Sequence, residues 1–78
     1  NAMAYYNRGG SAAKLKYHYA AIADYTKAIQ IDPNNADFYY LRGISKALIN
    51  EFNGACQDGR KANSLGYDAS DLINYVCN

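Results

Sequence analysis

The chain has 78 residues, half of them hydrophobic and 19% charged, which excludes a disordered polymer and leaves room for one small domain with a thin core. Its net charge of +1 argues against nucleic acid or an anionic membrane as the partner. No apolar run approaches the roughly 20 residues that a bilayer crossing needs, and one Pro and six Gly are too few for a loop-rich fold.

Taken in chain order, Asn1-Ala2 before Met3 reads as the remnant of a cleaved expression tag, so residues 1–3 are set apart. Tyr5, Gly9, Ala12 and Leu15 follow at spacings of three and four and predict a helix over 4–16. Ala21, Tyr25, Ala28 and Ile29 predict a second over 19–31. Asp32-Pro33-Asn34-Asn35 then breaks the helix, because Pro33 lacks an N–H and pushes the residue before it out of the helical region. Asn35 is placed to cap a third helix over 36–49, with Asp37 in its first turn. Phe52, Ala55, Cys56 and Ala62 predict a fourth over 53–64, and Gly66 a left-handed stop after it. Asp68 is the expected N-cap of a last helix carrying Leu72, Ile73 and Val76 on one side. No stretch alternates with period two for long enough to be a strand, so the fold class is all-α with about five helices.

The chain also repeats itself. Displaced by 34 residues, Tyr5-Tyr6, Arg8-Gly9, Ser11, Ala13, Ala21, Asp24 and Lys27-Ala28 meet Tyr39-Tyr40, Arg42-Gly43, Ser45, Ala47, Ala55, Asp58 and Lys61-Ala62. Two copies of one helix pair are implied, over residues 4–35 and 36–69, with 70–78 left as a C-terminal capping helix. The recurring Arg and Asp predict an ion pair between helices, for example Asp24 with Arg42.

The order Tyr5, Gly9, Ala21, Tyr25, Ala28, Pro33 in the first copy, and Tyr39, Gly43, Ala55, Ala62 in the second, resembles the tetratricopeptide repeat. The resemblance covers nearly the whole chain and implies an α-α superhelix of helical hairpins. Small residues stand where two helices approach closely, and Tyr5, Tyr39, Ala28 and Ala62 fill contacts between neighbouring pairs. The second copy departs from the pattern: Gly59 replaces an aromatic and Tyr67 replaces the proline. An aromatic lost from a core leaves space, and Leu72 or Tyr75 of the last helix, or a partner chain, is the expected filling.

The resemblance further implies a non-catalytic protein-interaction module that takes a peptide or partner helix in a concave groove lined by the first helix of each pair. The groove positions carry Met3, Tyr6, Gly10, Ala13 and Lys14, then Asp37, Tyr40, Ile44, Ala47 and Leu48. Of these Tyr6, Lys14, Asp37, Tyr40, Ile44 and Leu48 form the expected partner-binding site, with Tyr6 and Tyr40 as anchors. Relatives that grip the acidic tails of chaperones use Lys and Asn where this chain has Tyr6, Gly10, Leu41 and Ile44, so that ligand is not expected.

No catalytic, cofactor or metal site is expected. The one histidine, His18, has a tyrosine on each side and no nearby acid, which favours packing or a solvent hydrogen bond. Cys56 and Cys77 have no metal-ligand spacing and are too few for a disulfide scaffold; Cys56 is expected as a buried structural thiol and Cys77 as a frayed, oxidisable one. Two other functions compete with the groove. Two repeats are fewer than the roughly three usually needed for stability, which favours either a homodimer, formed for example by exchanging helices, or a piece of a longer array. Tyrosine also stacks on the bases of single-stranded RNA, but the first helices lack the basic stripe that such binding uses. With no export signal in view, a cytoplasmic setting is expected.

Overall fold

The computed structural model describes all 78 residues as five helices: α1 (Ala2–Lys14), α2 (His18–Ile31), α3 (Ala36–Leu48), α4 (Phe52–Ser64) and α5 (Ser70–Val76). Each helix packs on the next in chain order, and α5 also touches α3. The result is an α-α superhelix of two antiparallel pairs closed by a short fifth helix.

Three helices end in the same way, and this places their boundaries. After α1 the N–H of Tyr17 bonds the carbonyl of Ala12 and that of Lys16 bonds Ala13. After α3 Glu51 bonds Lys46 and Asn50 bonds Ala47; after α4 Tyr67 bonds Ala62 and Gly66 bonds Asn63. This crossed pair of bonds requires a left-handed residue just past the helix, and Lys16, Asn50 and Gly66 all have positive φ. The expected stop at Gly66 therefore stands, whereas the first and third helices stop short of residues 16 and 49, because the turn consumes the last residues. At the other ends, Asn35 caps α3 as expected, its Oδ1 accepting from the Asp37 N–H at 3.0 Å. Asn1 does the same for α1, accepting from Met3 and Ala4, so the helix begins at Ala2 rather than residue 4. The cap expected at Asp68 lies one residue later, at Ala69, and the Asp68 carboxylate accepts from the first helical N–H, that of Ser70, at 3.0 Å.

Close approach within each pair rests on one glycine, and the two glycines are covered differently. A Cβ on Gly9 would lie 2.9 Å from Cε1 of Tyr25, the ring that closes the first pair. In the second pair the residue equivalent to Tyr25 is Gly59, and the space above Gly43 is taken by Leu72 of α5, whose Cδ2 would lie 2.8 Å from an added Cβ. Ile73 lies over Gly59 itself. The filling expected from the last helix is thus Leu72 together with Ile73, while Tyr75 stays largely exposed. Ala47, Ala55, Leu72 and Val76 make one buried cluster, and Tyr39, Ala62 and Ala69 another. α5 is part of the second pair's core.

Between the pairs the largest buried rings are Tyr25 and Phe38, bridged by Tyr6 at ring-centroid distances of 6.1 and 5.1 Å. Tyr39 joins the pairs as expected, its hydroxyl donating to the Pro33 carbonyl at 2.8 Å.

Arg–Asp ion pairs do join helices as expected, but the example pairing of Asp24 with Arg42 is corrected. Arg8 binds Asp24 and Arg42 binds Asp58, each through two hydrogen bonds of 2.8–2.9 Å, so each bridge lies within a pair. The antiparallel hairpin sets Arg and Asp 16 residues apart face to face, and each Asp is taken by the Arg of its own pair. What crosses between the pairs is the third nitrogen of Arg42, which donates to the Thr26 hydroxyl at 3.2 Å. The hydrogen bond from Arg8 holds the Asp24 carboxyl below the usual carboxylate range, and the one Arg42 donates to Asp58 pushes the Arg42 guanidinium up.

Cys56 and Cys77 are not free thiols: they form a disulfide between α4 and the end of α5. The cause is register. Gly59 faces Leu72 and Ile73 across the α4–α5 hairpin, and continuing that antiparallel pairing brings residue 56 beside residue 77, with Cα atoms 5.1 Å apart.

Candidate partner-binding groove

The expected groove residues fall into two groups and one outlier. Tyr40, Ile44 and Leu48, one helical turn apart along α3, line a single cavity of about 250 Å³ with Ala47. Its far wall was not foreseen from the sequence: it is Asp71, Leu72 and Tyr75 of α5. Leu48 and Tyr75 are 61% and 73% exposed, so the cavity opens to solvent and α5 flanks it without filling it. Tyr75 meets Phe52 edge-on at 6.2 Å, which extends the apolar surface onto α4. The signal for this wall was present in Gly59, whose missing ring calls for a neighbour that must then lie beside α3.

Tyr6 and Asp37 form the second group, at the junction of α1 and α3. The Tyr6 ring rests on Phe38, and burial, with the Asp37 carboxylate adding to it, pushes its phenol above the ordinary tyrosine range. Lys14 is apart from both groups, exposed in the last turn of α1.

Tyr40 is fixed where it stands. Its hydroxyl donates to Asp71 Oδ2 at 2.8 Å, and its ring packs on Tyr67 at 4.7 Å. The bond to the Asp71 carboxylate, helped by burial, raises its pKa to about 12, so at neutral pH it is a hydrogen-bonded phenol. The cavity thus has an aromatic and aliphatic lining with one carboxylate at its edge, a surface suited to an apolar side chain carried on a polar or basic segment.

No three of the His, Cys, Asp and Glu side chains gather where they could hold a metal ion. His18 opens α2 half-buried, with its Nδ1 buried and without a hydrogen-bond partner. No helix is long and apolar enough to cross a membrane.

Helical hairpins with this register, small residues at the close approaches and an aromatic groove define a helical-repeat protein of the superhelical kind. A family profile described as TPR repeat matches residues 18–48. The chain is similar to tetratricopeptide repeat protein 16 of Macaca fascicularis, 33% identical over 64 residues, which is 82% of this chain and 7% of that protein. It is 34% identical over 68 residues to the TPR repeat-containing thioredoxin TDX of Arabidopsis thaliana, 87% of this chain and 18% of that one. It is 34% identical over 52 residues to the human small glutamine-rich tetratricopeptide repeat-containing protein beta, 67% of this chain and 17% of that one. With its five helices, the chain is a member of the tetratricopeptide repeat family: two repeats and a capping helix. It spans less than a fifth of the length of each of these relatives.

Proposed function

We propose that the chain is a non-catalytic docking module whose groove, over repeat units 4–35 and 36–69 with 70–78 as the cap, holds an amphipathic segment of another protein. The observation that carries this is the open apolar cavity between α3 and α5, lined by Tyr40, Ile44, Leu48, Leu72 and Tyr75. Tyr40 is held by its bond to Asp71 before any ligand arrives, so little ordering entropy is lost at that anchor on binding. Tyr6 and Asp37 extend the site toward α1, while Lys14 lies apart from it. The family is one of protein-interaction modules, in keeping with this reading. Titration of a fluorescent amphipathic peptide, with leucines on one face and lysines on the other, tests it. Ile44→Glu should abolish binding while leaving the circular dichroism unchanged; equal affinity for both proteins would refute the assignment.

A second reading, self-association, is favoured by one observation at the α1 end. The Arg42 side chain is 17% exposed and reaches Thr26 of the neighbouring pair, whereas that of its counterpart Arg8 is 71% exposed, lies over the Tyr5 ring and hydrogen-bonds only Asp24. A homodimer would cover that end, and sedimentation equilibrium at rising concentration decides: a constant monomer mass removes the reading. We further propose a cytoplasmic setting, where thiols are mostly kept reduced and a disulfide such as Cys56–Cys77 forms transiently.

A further inference from the structure

α5 is held in two unlike halves. Its first half is locked by shape: Ala69 and Leu72 are buried, Leu72 sits over Gly43, and Asp71 accepts from Tyr40. Its second half has less. Tyr75 is mostly exposed, Val76 is buried against Ala47 and Ala55, and beyond Val76 the tie to α4 is the bond from Cys77 to Cys56. A helix of seven residues has no stability of its own, since isolated helices shorter than about 12–15 residues are marginal in water. Its last turn therefore depends on two fastenings, the small buried contact of Val76 and the disulfide beyond it.

We propose that Cys56–Cys77 is a thiol-exchange site that controls the α5 wall of the groove, with a dithiol as the reductant. Both cysteines are half-buried, so a small or flexible thiolate can reach the bond. Attack on Cys77 Sγ forms a mixed disulfide and releases Cys56 as a thiolate, which takes up a proton. The second thiol of the reductant then displaces Cys77 Sγ, which is protonated in turn. The reductant leaves as its own disulfide, and two electrons and two protons have passed to the pair. The last turn of α5 then frays back as far as Ile73, which stays over Gly59 with Leu72 in its notch. Tyr75 leaves the cavity, and Ala47 and Ala55 lose the cover of Val76. The oxidised chain carries the complete groove and the reduced chain an incomplete one. The consequence for binding rests on the groove reading above; the change in α5 does not.

Amide hydrogen exchange on the whole chain, with and without dithiothreitol, tests the proposal. The Cys77 N–H bonds the Ile73 carbonyl at 2.8 Å and the Ile73 N–H bonds Ala69 at 2.9 Å, so one helix reports on both halves. Reduction should speed exchange at residue 77 at least tenfold and leave residue 73 within about twofold. Cys77→Ser should behave as the reduced chain and ignore dithiothreitol; reduction of the natural chain gives the same test should that variant fold poorly. Unchanged protection at residue 77 overturns the proposal. The Leu/Lys peptide should bind the oxidised chain about tenfold more tightly, and equal affinity for both states overturns control of the groove. A peptide that binds neither state refutes the groove reading instead, while the exchange data still decide the latch.

Discussion

Leu72→Ala measures how far the capping helix belongs to the second repeat's core. Leu72 is 5% exposed and lies against the open side of Gly43 and Gly59, where the first repeat has the ring of Tyr25 over Gly9. Buried Leu→Ala changes cost about 2–5 kcal/mol, the upper values belonging to sealed cavities. Here the void opens into the groove beside Tyr40 and Ile44, so water enters and the loss should be about 2–3 kcal/mol. For a domain this small each kcal/mol shifts Tm by about 4–8 °C, which places the expected drop at roughly 10–20 °C. Urea unfolding followed by far-ultraviolet circular dichroism, with the disulfide intact, gives the free energy. Tyr75→Ala, on the same helix but mostly exposed, is the control and should stay within about 0.5 kcal/mol. A Leu72→Ala loss no larger than that of the control would refute the idea that α5 replaces the missing ring.

Asp58→Asn should cost about 2–3 kcal/mol in the same assay, because Arg42 and Lys46, with side chains 17% and 18% exposed, lose their shared partner. Asp24→Asn should cost clearly less, since Arg8 is already in solvent. Lys16→Gly should stabilise the chain by about 0.5–1 kcal/mol by relieving a φ of 64°, and Asn50→Gly by less, because asparagine tolerates the left-handed region. Tyr40 should be among the last tyrosines to ionise when followed by ring-carbon chemical shift. Its folded pKa of about 12 lies above the ordinary value near 10, so its contribution to stability is complete below that value and is lost as pH rises toward 12. Asp71→Asn should bring it back toward 10.

Most of the fold was legible because the repeat carries it. Tyr5, Gly9, Ala21, Tyr25 and Ala28 report helix period and close approach at once, and their recurrence fixes the hairpin. The helix ends were less legible: Gly66 announces a left-handed turn, but Lys16 and Asn50 adopt the same turn without a glycine to mark it. Phe38 was missed as core because its counterpart, Ala4, is exposed; a ring that fills one interface leaves no trace in the repeat. The disulfide was missed for a related reason. Cys56 and Cys77 are 21 residues apart and only the α4–α5 register, set by Leu72 on the two glycines, brings them together. The same register builds the groove's second wall, so the α3 half of the candidate site was readable and the α5 half was not.

The central claim is that the hollow between α3 and α5 is where another polypeptide docks. Amide chemical-shift mapping during titration with the Leu/Lys peptide tests it most directly. The account predicts saturable shifts concentrated at Tyr40, Ile44, Leu48, Leu72 and Tyr75, with weaker ones near Tyr6. Shifts concentrated on α2 and the outer side of α4, with α3 and α5 silent, would contradict it.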